Sequence, residues 1–132
     1  MANIYEHGGM GGRLLLTGLV DGNYVLGDGS SEVVSMLVLH VVVASGTVSI
    51  VPKVRSSHAS ARRNVDDIVF QPIPYVRRNV GGTVSDDTAV SDAIAATGIF
   101  KVDISGFQAS LEIDQTDGAG VVYWSIVAGA GA

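Results

Sequence analysis

The sequence predicts one all-β domain: a single antiparallel β-sandwich, jelly-roll-like, with a glycine-rich N-terminal arm. Three observations predict it. Phe107, Ala109, Leu111 and Ile113 alternate with Gln108, Ser110, Glu112 and Asp114, the period-two pattern of a strand with one wet face. Short apolar runs recur between Gly, Asp, Asn and Ser clusters at roughly 8–12-residue intervals, as in sandwiches and barrels. Val is abundant in those runs, and its stiff χ1 favours strands over helices. A chain of 132 residues suffices for one sizeable core and is too short for two.

Residues 1–12 carry Gly8, Gly9, Gly11 and Gly12 and read as a flexible arm, leaving 13–132 as the sandwich domain. Residues 13–20 suit a strand ended by Asp21-Gly22-Asn23, and Tyr24-Val25-Leu26 forms a short run before Gly27-Asp28-Gly29-Ser30. Residues 33–43 are apolar on both alternate sets, as in a strand covered on both faces. Ala44-Ser45-Gly46-Thr47 reads as a turn, after which Val48, Ile50 and Val54 mark a neighbouring strand. Residues 33–52 contain no Lys, Arg, Asp or Glu and reach the length of a membrane-spanning helix. The Ser45-Gly46 break, Pro52 and the Val content favour two strands instead, so no membrane association is expected.

Residues 56–64 form a polar loop, and Pro72 and Pro74 make 67–80 extended, as an edge strand or one switching sheets. Residues 86–96 admit a short helix through Ala93, Ala95 and Ala96, although Thr88, Val90 and Thr97 suit a strand equally. Phe100, Val102 and Ile104 pair with the run from Phe107 as a hairpin closed by Ser105-Gly106. Gln115-Thr116-Asp117-Gly118-Ala119-Gly120 reads as a second turn, and 121–128 as the third strand of a meander.

Composition narrows the chemistry. With no cysteine there is no disulfide framework, thiolate zinc site or thiol nucleophile. A net charge of −5 opposes general affinity for nucleic acid or anionic membranes. The N-terminal Met1-Ala2-Asn3-Ile4-Tyr5-Glu6-His7 lacks the basic and apolar regions of a secretory signal, so export by that route is not expected. His7, His40 and His58 lie in the terminus, an apolar strand and a polar loop, without the i,i+4 pairing of metal-binding helices. Asp114-Gln115-Thr116-Asp117-Gly118 and the Asp86, Asp87 and Asp92 group lack the alternating ligand series of a calcium loop and read as turns. The glycines before Arg13 lack the Lys-Ser/Thr that cradles phosphate. No catalytic residue, metal or cofactor is therefore expected, and the chain reads as a non-enzyme.

Charge is segregated. Lys53, Arg55, Arg62, Arg63, Arg77 and Arg78 crowd one segment, while seven carboxylates and a single Lys follow position 79. Paired arginines concentrate charge-assisted donors, so Arg62, Arg63, Arg77 and Arg78 are the candidate partner-binding residues. Only 16% of residues are charged and mean hydropathy is +0.38, too few polar groups to cover a small monomer, which predicts a homo-oligomer. Trp124 alternates with Val122 and Ile126 and is expected in the core, not beside Tyr75 or Tyr123 on a sugar-stacking platform.

Three segments, Phe70-Gln71-Pro72-Ile73-Pro74-Tyr75, Gly98-Ile99-Phe100-Lys101-Val102-Asp103-Ile104-Ser105-Gly106-Phe107 and Gly120-Val121-Val122-Tyr123-Trp124-Ser125, resemble a pattern in structural proteins of tailed bacteriophages. There, a strand ending in an Asp-x-Ser-Gly-aromatic turn precedes another strand and a final aromatic strand. The resemblance covers roughly the C-terminal half. It implies a virion protein made in the host cytoplasm, most similar to head-decoration (cement) proteins that sit as trimers on the capsid surface against the major capsid protein. Tail, neck or baseplate components and a carbohydrate-binding adhesin are the rival readings.

Overall fold

The computed structural model describes residues 4–7, 9–27, 35–56, 70–78, 86–90 and 92–128. Two 22-residue strands, β4 (Ser35–Ser56) and β9 (Phe107–Ala128), run antiparallel along their whole length and organise everything else. The described residues also form β1 (Ile4–His7), β2 (Gly11–Leu15), β3 (Gly22–Leu26), β5 (Gln71–Pro72), β6 (Tyr75–Arg78), β7 (Asp86–Val90) and β8 (Gly98–Asp103), with no helix. All nine belong to one sheet, ordered β1-β3-β9-β4-β8-β6-β7, with β2 added to β9 and β5 to β4. Every pairing is antiparallel except β1 with β3.

The long pair corrects two expectations. Neither 44–47 nor 115–120 reverses the chain, so the two strands expected on each side of both segments are continuous: 35–43, the described part of the run expected over 33–43, and 48–54 lie in β4, and 107–114 and 121–128 in β9. The pairing slips between Val43 and Ser45 and again between Ser45 and Thr47, and the slips compensate, so that Val43 faces Gly120 and Thr47 faces Thr116. Such bulges insert residues without ending a strand and bend the sheet. Glycine makes the bend possible. A Cβ on Gly46 (φ 81°) would lie 2.2 Å from the Asp117 carbonyl oxygen, and one on Gly120 (φ 134°) 1.9 Å from that of Val42.

The inward set switches parity across the bend. Leu37, Leu39 and Val41 are buried before it and Val48, Ile50 and Val54 after it, while Ala109, Leu111 and Ile113 on β9 give way to Val122 and Trp124. Inward partners meet across the ladder as Leu39 with Trp124, Val41 with Val122 and Ile50 with Ile113. These side chains from both halves join one core with Leu14, Leu16, Tyr24, Leu26, Phe100 and Val102. Each fully buried Leu or Ile contributes about 1.5–3 kcal/mol of transfer free energy.

The hairpin expected at Ser105-Gly106 is not formed: a tight turn there joins β8 to β9, but the two strands do not pair, because each takes β4 as its partner and β4 lies between them in the sheet. Gly106 takes φ 79°, Phe107 N–H donates to the Ile104 carbonyl at 2.9 Å, and Ser105 donates from its N–H and hydroxyl to the Asp103 carboxylate at 3.0 and 2.7 Å. Pro72 lies in β5, which pairs only with β4 among the described strands, as an edge position for proline requires. Pro52 does not close its strand but lies buried within β4, opposite Leu111. Residues 86–90 are strand, not helix, and Ile94 bridges to Ile50. Of the arm expected over 1–12, Ile4–His7 lies in the sheet as β1 and Gly11 and Gly12 open β2. The strand expected over 13–20 ends at Leu15, with a turn at Thr17-Gly18.

Candidate interaction surface

The outward faces of the two halves differ. Beside the N-terminal part of β9, all five β3 residues are buried, and on that outward side so are Ser110 and Arg55. The Arg55 guanidinium lies 4.1 Å from the Phe70 ring centre and its Nε donates to Gln108 at 2.7 Å, while Lys53 pairs with Glu112 at 2.8 Å. Arg55 and Lys53 are thus held and largely covered here.

Beyond the bend the outward face is open. Period two turns Leu15 and Arg13 of β2, Val121, Tyr123 and Val127 of β9, His40 of β4 and Ile99 and Lys101 of β8 away from the core. Leu15 is 55% exposed, Tyr123 46% and Val127 50%. Met36, Val38, Val42 and Val121 between them are half-buried. The Tyr123 ring stands 6.1 Å from His40, tilted by 47°. Exposed charges rim this surface: Arg13 on β2, and Lys101 and Asp103 on β8. The hydroxyl and N–H of Ser105 hold the Asp103 carboxyl below its ordinary range.

Of the candidate arginines, Arg62 and Arg63 lie outside the described residues. Arg77 and Arg78 end β6 opposite Phe100 and Ile99 of β8. Arg77 is exposed at a cleft of about 260 Å³ lined by Tyr75, Asp92, Ile94, Ala96 and Phe100. Tyr75 shapes its floor, donating to the Asp92 carbonyl at 2.7 Å and meeting Phe100 edge-on at 5.4 Å. Burial pushes the Tyr75 hydroxyl above its usual pKa. Thus the structure brings one candidate arginine to a concavity.

Trp124 is only 4% exposed, and a Cβ on Gly12 would touch its indole at 3.2 Å, so the indole belongs to the core as its alternation predicts. Period two also assigns Tyr123, Val127 and Leu15 to one outward side, but only the pairing of β2 with β9 juxtaposes them, and that pairing left no mark in the local sequence. Asp114 and Asp117 lie in β9, not in an independent turn, and among the described residues no group of acidic and histidine side chains is placed to hold a metal ion. No helix among them is long and apolar enough to cross a membrane. No family model, curated protein or solved structure matches the chain.

Proposed function

We propose that this chain is a non-enzymatic structural protein of a tailed-bacteriophage particle, a head-decoration protein that associates with itself, as a trimer, and docks on the major capsid protein. The observation that carries the reading is the uncovered apolar sheet face around Leu15, Tyr123 and Val127. Exposed apolar area of this kind marks association surfaces, and a covered opposite half supplies the rigidity such a part needs. Both halves of the bent β4/β9 pair contribute to one core, which is how the layers of a sandwich would arise from a single sheet. The buried Trp124 weighs against an adhesin, because the one indole is withdrawn from any sugar-stacking platform.

The test is light scattering of the purified protein together with binding to undecorated capsids. Assembly and saturable attachment support the reading; a monomer with no affinity for capsids overturns it. Replacing Arg62 with Arg63, or Arg77 with Arg78, by Gln examines the arginines. Attachment and its salt dependence that do not change in either double variant remove those residues from the interface.

A further inference from the structure

We propose that the open face is completed by a second copy of this chain in a head-to-tail contact, its occupant being the carboxylate-bearing tip where Asp21, Asp114 and Asp117 converge. This rests on the self-associating reading above and names its surface. The exposed cations Arg13 and Lys101 flank the apolar residues, and Asp103 is the one described acid exposed on that side. The tip carries the opposite sign. Asp21, Asp114 and Asp117 are exposed, and none has an ion-pair partner among the described residues.

The tip is also stiff. Gln115 ties it together: its N–H donates to Asp21 at 2.9 Å, its side-chain amide donates to the Leu19 carbonyl at 2.8 Å, and its Oε1 accepts from Gly118 N–H at 2.6 Å. Charges held in place lose little freedom on docking, which favours a specific contact over diffuse attraction.

Area points to the same arrangement. Four strands about 4.8 Å apart, each presenting outward residues about 6.8 Å apart, give the face on the order of 500 Å², short of the ~800 Å² that each partner contributes to a standard two-fold interface. In a closed ring every subunit uses both its face and its tip, so two modest contacts hold each copy.

The experiment uses the full-length chain. One variant reverses the face (Arg13→Glu with Lys101→Glu); a second reverses the tip (Asp114→Lys with Asp117→Lys), retaining Asp21 for its bond to Gln115. Each alone is expected to weaken self-association about tenfold at low salt, and the two sets combined in one chain are expected to restore it, because every face then meets a tip of opposite charge whatever the size of the ring. Unchanged thermal melting confirms folding. Oligomers that persist in both variants, or a combined variant that fails to recover while Tyr123→Ser alone dissociates the wild-type oligomer, overturn the head-to-tail contact in favour of a face-to-face one and leave the proposed function standing. A wild-type monomer that still attaches to capsids also overturns only this inference; one that does not attach overturns both.

Discussion

Replacing Gly120 with Ala tests the bend on which the architecture depends. The Cβ would sit 1.9 Å from the Val42 carbonyl oxygen, when contacts under 3.0 Å essentially never occur, so one backbone must move by roughly 1 Å. The φ of 134° is itself unfavourable to an L side chain, at about 1–3 kcal/mol. Moving the strand also weakens local bonds, including Leu16 N–H to the Gly120 carbonyl at 3.0 Å, each with a net worth of about 0.5–1.5 kcal/mol. Together these give a loss of about 3–5 kcal/mol. Gly106→Ala is the control, because Gly106 has φ 79° but nothing within 4 Å, and it should lose only about 1–2 kcal/mol. Urea unfolding of the three proteins, fitted with a common slope, measures the difference. If Gly120→Ala costs no more than Gly106→Ala, the two strands do not approach as described, and a wide turn at 115–120 becomes the better account.

Trp124, in the core, should emit at short wavelength and resist iodide quenching; a red-shifted, strongly quenched emission contradicts its placement. Asp103 should titrate below the ordinary 3.8, and Ser105→Ala should move it back towards that value in a carboxyl NMR titration. Its contribution to stability is accordingly present above pH 3.8 and lost as pH falls through the lower folded pKa, a loss that Ser105→Ala should reduce. Burial is the largest cause raising the Tyr24 hydroxyl above 10.0, so its contribution is complete below pH 10 and lost as pH rises through the folded pKa; Tyr24→Phe should flatten that alkaline decline in melting temperature. Leu111→Ala, at a fully buried position opposite Pro52 and Tyr24, should lower stability by about 2–5 kcal/mol.

Sequence by itself determined which segments are extended and which side chains point inward. Alternation from Phe107 to Asp114 fixed the face of β9, Ser105-Gly106 fixed a tight turn that needs a positive φ though not the hairpin pairing expected around it, and Pro72 fixed an edge. These are local properties, set by pleat, turn chemistry and a missing N–H. Tertiary structure decided what becomes of a glycine break. Ser45-Gly46 and Gly118-Ala119-Gly120 carry the composition of turns, yet each lies opposite the other, and a strand that keeps a partner across the break continues through it as a bulge. The same long-range pairing gathered Leu15, Tyr123 and Val127 from separate strands into one open face and drew the strands into one sheet. No local pattern encodes which strand lies beside which, because that choice depends on residues from about fifty to more than a hundred positions apart in the chain meeting across a shared core.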